Sequence, residues 1–347
     1  MTSATATSTP DAATLRRPVR SRATWLTLSL LALLLLCGSS LAFGVRTVTL
    51  EDIIAAFSGP AQTVSEAAVV TRLPRTVLAV LIGAALALSG AAMQAVTRNP
   101  LADPGILGVS GGAALAVVIG LAYFGLAAPY SVITVATIGA SIAAVFVYAV
   151  GSLGRGGATP LKLALAGAAI SAAFASLTSA VLLPRTDVME SFRFWQIGGV
   201  GGATWDRIGV VSPVLALGAL VVIATARGMN SLALGDDLAA GLGENVGRTR
   251  LIASAGAVIL CGAATAVAGP IAFVGLVIPH LCRFLVGSDH RWLLPFAAVL
   301  GSCLLVAADV VGRLIARPEE IEVGIVTALI GAPVFIWIVR RHRVRQL

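Results

Sequence analysis

The sequence predicts an all-α integral membrane protein of about ten transmembrane helices. Three observations carry this. Of its 347 residues, 58% are hydrophobic and only 12% charged, with a mean hydropathy of +0.96. Soluble domains carry about 25% charged residues. Apolar runs of about 20 residues, long enough to cross a bilayer as a helix, recur along the chain. The basic residues also concentrate in alternate loops, as they do in membrane proteins with a cytoplasmic side. That bias explains the net charge of +8 without invoking nucleic acid.

The chain opens with a Ser-, Thr- and Ala-rich stretch followed by Arg16, Arg17, Arg20 and Arg22. Residues 1–22 are expected to be a disordered basic tail. The run from Trp25 to Phe43 resembles a signal peptide, and Cys37 resembles a lipidation site. Leu36, however, stands where a small residue is wanted, and the run is longer than a signal core. An uncleaved first span over 24–44 is therefore expected. It opens a membrane domain at 23–341, which a short tail follows at 342–347.

The second span, 73–95, starts beside Arg72 and Arg75 and ends in the loop Arg98-Asn99-Pro100-Leu101-Ala102-Asp103-Pro104. Two prolines four apart fit neither flanking helix, which makes this a rigid turn suited to docking or packing. Further spans are expected at 105–124, 130–151, 160–183, 206–226, 250–268, 270–287, 292–316 and 321–340. Pro270 and Pro279 interrupt the eighth, so a broken helix is an alternative there. With the N-terminus inside, the inner loops hold twice as many basic residues as the outer ones. Both termini are expected on the cytoplasmic side.

Three segments between spans carry pattern of their own. Leu50 to Phe57 reads as a short interfacial helix. Phe192, Phe194 and Trp195 beside Arg193 suit an outer interface. The inner loop 227–249 is too polar to span, but Leu232, Leu234, Leu238, Ala239, Ala240 and Leu242 can form a short amphipathic helix. Such a helix is a handle for a soluble partner.

No catalytic constellation and no metal site are expected. Gly241 to Thr249 (GLGENVGRT) lacks the glycine spacing and the lysine of a phosphate loop, so any ATP chemistry belongs to another chain. Asp309 lies within a span, where an acid is a functional candidate. Arg313 four residues on makes an ion pair the preferred reading over a proton relay. His280 has no companion at ligand spacing and reads as a packing residue. The four cysteines read as packing residues too.

The blocks RLPR (72–75), SGAAMQAVTRNPLADPGILGVSGGA (89–113), GPIAFVGLVIPHLCRFLVGSDHRWLLP (269–295), ADVVGRL (308–314) and GIVTALIGAPVFIWIVRR (324–341) resemble the FecCD-like iron–siderophore and cobalamin permeases of bacterial ABC importers. SFRFWQIGG (191–199) and NSLALGDD (230–237) most resemble the ferric-enterobactin type. The resemblance implies a type II importer permease fold with inverted repeats, in the bacterial cytoplasmic (inner) membrane. It implies pairing with an identical or related second permease, two cytoplasmic ABC ATPases and an extracytoplasmic binding protein. The cargo implied is a ferric siderophore, probed against haem, cobalamin and other chelates as alternatives. No cofactor is expected on this chain, since ATP and Mg belong to the ATPase.

The resemblance also implies residue roles. Arg72, Arg75 and Arg313 match outer-rim arginines that receive the binding protein, the alternative being simple anchoring of helix ends. Gly235, Asp236, Asp237, Leu238, Ala239, Ala240, Gly241, Leu242 and Gly243 match the segment that couples to the ATPase. Gly154, Arg155, Gly156 and Gly157 are a candidate gate. Ser171, Ser176, Thr178 and Ser179 are candidate pathway residues, or serines bonded to their own helix.

Overall fold

A computed structural model describes residues 18–46, 48–126, 128–154 and 160–341, and these are almost entirely helical. The helices are α1 (Val19–Ala42), α2 (Leu50–Ser58), α3 (Val64–Thr97), α4 (Val109–Phe124), α5 (Pro129–Ser152), α6 (Pro160–Leu182) and α7 (Thr186–Ile197). They continue with α8 (Trp205–Ala224), α9 (Ala226–Leu232), α10 (Asp236–Gly241), α11 (Val246–Ala268), α12 (Val274–Val286), α13 (His290–Ile315) and α14 (Val323–Arg341). Seven are long and apolar enough to cross a membrane, and α4, α12 and α14 are shorter apolar helices. Each of the ten expected spans corresponds to one of these. The end that carries α9 and α10 is called the inner end below, after the basic-residue bias.

Helix α3 runs through the centre, packed on α11, α12 and α13. Small residues allow this. A Cβ added at Gly83 would collide with the Gly301 backbone on α13, and one at Gly90 with Gly275 on α12. In lipid such close backbone approach, rather than water exclusion, drives helix association. Polar side chains reinforce it: Ser302 Oγ donates to the Val80 carbonyl at 2.8 Å and Ser89 Oγ to that of Ala257 at 2.6 Å. By contrast α6 is largely exposed, with Leu161, Leu165 and Leu177 facing outward.

Helix α12 has 13 residues, about 20 Å at 1.5 Å per residue, too short for a hydrocarbon core of about 30 Å. The irregular segment 269–273, with Gly269 and Ile271 buried, precedes it in place of a first helical turn. The broken-helix alternative is the one observed. Pro279 has no N–H to give the Gly275 carbonyl one turn back. Gln94 of α3 supplies the missing donor, its Nε2 lying 3.2 Å from that oxygen.

Other local expectations meet mixed outcomes. Helix α1 starts at Val19 and takes in Arg20 and Arg22, which the sequence reading assigns to the tail. Helix α2 lies where an interfacial helix is expected, with Leu50, Ile54 and Phe57 exposed. The Thr49 hydroxyl accepts from the Asp52 N–H, and the Asp52 carboxylate accepts from the Thr49 N–H at 2.9 Å, closing a capping box. These bonds hold the Asp52 carboxyl below its usual range. The 192–195 aromatics need a correction. Phe192 is 2% exposed and stacks on Trp195 at 5.7 Å, so it belongs to the core and not to an interface. The 98–104 turn is a packing device: Ala102 is fully buried, and Asp103 caps the Gly105 N–H at 2.8 Å.

Candidate functional sites at the two ends of the bundle

At the outer end, the first turns of α3 bring Arg72 and Arg75 against the last turns of α13, where Asp309 and Arg313 share a helical face. Arg75 Nε donates to Asp309 Oδ1 at 2.8 Å, and its Nη1 reaches Glu320 at 2.5 Å. Arg313 Nη2 lies 2.9 Å from Asp309 Oδ2 as an ion pair rather than an aligned hydrogen bond. Arg313 also donates to the Ser40 hydroxyl at 2.7 Å and the Ser40 carbonyl at 3.0 Å. Arg72 donates to the carbonyls of Leu41 and Arg46 at 2.8 and 2.7 Å. The expected Asp309–Arg313 pair is thus present, enlarged by Arg75 into a knot that ties α1, α3, α13 and the 316–322 segment.

The sequence reading expects the three arginines to face a docking partner. The structure brings them together but turns them inward: Arg72, Arg75 and Arg313 are 8%, 9% and 1% exposed. Their acceptors lie within the chain because burying an unpaired guanidinium is costly. Arg46, Arg317, Glu319 and Glu320 are charged residues exposed beside the knot. Glu322 sits behind them; burial pushes its carboxyl up, and its Oε2 has no hydrogen-bond partner.

At the inner end the 227–249 loop forms two short helices instead of one. Leu232 of α9 and Ala239 of α10 are buried and pin the unit to the bundle. Gly235 and Gly243, at φ +106° and +84°, make the turns on either side of α10. Leu238, Ala240, Gly241 and Leu242 face outward, and Asp237 with them. Asp236 accepts from Arg250 at 2.9 Å and lies 3.7 Å from Arg98 of the 98–104 turn. Asp236 therefore links α10 to the start of α11 and to the foot of α3.

The remaining candidates divide. Gly154 ends α5 in a left-handed turn, φ +83°. Arg155, Gly156 and Gly157 lie outside the described residues. On α6, Ser171 and Thr178 face the bundle, while Ser176 and Ser179 are exposed and bond the Ala172 and Ala175 carbonyls at 3.0 Å. The four candidate pathway residues thus lie on two faces of α6. His280 packs edge-on against Phe284 at 5.1 Å.

Sequence reasoning missed Gln94. It joins the Gly275 carbonyl to Arg283, whose Nη1 donates to Gln94 Oε1 at 2.7 Å. The signal was a lone glutamine in an apolar run opposite an intrahelical proline, since each leaves a polar group wanting a partner.

Comparison with known proteins places this geometry. Residues 30–341 match the FecCD transport family. The ferric enterobactin transport system permease protein FepD of Escherichia coli K12 is 45% identical over 314 residues, covering 90% of this chain and 93% of that one. The probable siderophore transport system permease protein YfiZ of Bacillus subtilis 168 is 41% identical, covering 91% and 96%. A solved inward-facing structure described as a metal-chelate type ABC transporter superposes with a TM-score of 0.80 at 28% identity, covering 92% and 99%. The polytopic helical bundle, with its knotted outer end and its paired helices inside, belongs to the FecCD transport family of membrane permeases.

Proposed function

We propose that this chain is the membrane-spanning subunit of an ATP-binding-cassette importer that carries a ferric siderophore, of catecholate type, to the cytoplasm by alternating access. The observation that carries the cargo is the 45% identity to FepD across nearly all of both chains. Relatives named for hemin and cobalamin keep those cargoes as the runner-up reading.

The division of labour follows from the residues. The chain has no phosphate loop, so a partner ATPase binds and hydrolyses ATP with Mg. It docks on α10, where Ala240 and Gly241 allow close approach between backbones. A second permease subunit, identical or related, covers exposed apolar surface such as that of α6, and Ser176 and Ser179 stand at the pathway. An extracytoplasmic binding protein lands on the rim that the Arg75–Asp309–Arg313 knot holds in shape. A proton-coupled carrier is disfavoured, because Asp309, the acid deep in a span, is engaged by two arginines.

Uptake of labelled iron by cells with and without the chain tests this. Ferric catecholate accumulation should vanish without the chain, while hydroxamate, haem and cobalamin uptake continue. Normal catecholate uptake with loss of another cargo would reassign the substrate.

A further inference from the structure

A cavity of about 480 Å³ opens at the inner end, between the foot of α3, the last turns of α12 and the 287–290 turn. Gln94, Arg98, Arg283, Phe284, Ser288 and His290 are among its lining residues. Its charges do not balance. Arg22 and Arg291 share Asp289, and Arg98 and Arg250 share Asp236. Arg283, by contrast, has the neutral amide of Gln94 as its partner and no carboxylate among the described residues.

A second vacancy lies beside it. The Asn230 side-chain oxygen accepts from the His290 backbone N–H at 2.9 Å and faces Nδ1 of the ring at 2.8 Å. Nδ1 is therefore the protonated nitrogen. Nε2 is buried without a hydrogen-bond partner in a residue 4% exposed. As the unprotonated nitrogen it accepts, as from the hydroxyl of a glycerol-bearing headgroup. A half-buried guanidinium lacking a counter-ion suits an oxyanion, and the imidazole acceptor beside it suits a hydroxyl carried by the same ligand.

Depth chooses the source. Arg283 lies three residues before Val286, the last of α12, about 4.5 Å along the axis. That is the level of the lipid headgroups when the helix end meets the interface. Exposed Phe284 offers an apolar wall for the start of an acyl chain. Basic pockets between helices on this side of a membrane take acidic headgroups. We propose that this cavity binds the phosphate of an acidic phospholipid of the inner leaflet, held by Arg283 and Arg98 with His290 beside them.

Native mass spectrometry of the full-length chain in neutral detergent tests the proposal. The probes are phosphatidylglycerol, phosphatidylcholine and inorganic phosphate. Phosphatidylglycerol should be retained and the other two lost. Arg283→Gln should weaken retention by about fivefold, the effect of one interfacial arginine. That variant also loses its bond to Gln94, so Arg98→Gln, at an exposed position, is the second variant and should weaken retention similarly. Arg248→Gln, exposed elsewhere at the same end, should leave it unchanged. Equal retention of phosphatidylcholine, or full retention in both variants, overturns the proposal. So does binding of inorganic phosphate in place of lipid, or displacement of the lipid when the ATPase partner assembles, which would assign the cavity to the partner.

Discussion

The two ends of the bundle handle charge in opposite ways. At the outer end Arg72, Arg75 and Arg313 are buried, and carboxylates or carbonyls of the same chain satisfy them. At the inner end four arginines share two partly exposed aspartates, Arg283 has none, and the outward side of α10 combines Leu238, Ala240 and Gly241 with the charge of Asp237. The outer end holds helix ends together, and its charges are matched within the chain. The inner end is left open, with a surface and a charge excess that await something else.

That contrast is broken most sharply at its buried acid. Asp309→Ala strands Arg75 and Arg313 in a dry setting, and the chain should lose about 3–5 kcal/mol. Thermal unfolding in detergent would show it as a large drop in Tm. Asp236→Ala at the inner end removes an acid that is half exposed, and should cost under about 1 kcal/mol by the same assay. Equal losses would abolish the distinction between the two ends. Reversing Arg72, Arg75 and Arg313 to glutamate should likewise abolish folded yield, instead of merely slowing association with a binding protein in a salt-dependent way.

Gly241→Trp probes the open face. A Cβ there meets no atom within 4 Å and no strained backbone angle, so the fold should keep its Tm. Transport should fall severely, because close-packed interfaces do not absorb a new indole. Normal transport would remove α10 from the coupling surface. Gln94→Leu should cost about 1–3 kcal/mol, the usual range for leaving a buried acceptor unmet, here the Gly275 carbonyl.

The smallest effect expected is one of pH. Burial raises the Asp289 carboxyl, but bonds from Arg291 and Asn230 outweigh it and hold the group at about 2. Its folded pKa is below its unfolded value, so its stabilisation is complete above the unfolded value near 4 and fades as pH falls toward 2. Stability curves of the wild type and Asp289→Asn should therefore run parallel from pH 6 to 8. A difference that grew within that window would contradict the assignment.

The sequence carried the spans because apolar length is a one-dimensional property. It also carried the Asp309–Arg313 pair, since residues four apart share a helical face. It did not carry Arg75 into that pair, because residues 75 and 309 meet only through the packing of α3 on α13. The same blindness made three arginines at helix ends look outward-facing. Ser171, Ser176, Thr178 and Ser179 could be named as polar, but which of them faces the bundle depends on what packs beside α6. Phe192 looked interfacial because an aromatic beside an arginine reads the same whether its ring points to lipid or to Trp195. Gln94 was visible as an oddity, and its meaning came only from Pro279 on the opposite helix.

The central claim is that this chain moves a ferric chelate using force delivered at its inner end by a separate ATPase. The most direct measurement reconstitutes the purified permease, its ATPase and its loaded binding protein in sealed vesicles. Labelled ferric catecholate is then followed with ATP, without ATP, and with an imposed proton gradient alone. The account predicts accumulation only when ATP and the ATPase are both present, and none with the Gly241→Trp chain. Accumulation driven by the proton gradient in the absence of ATP would contradict it.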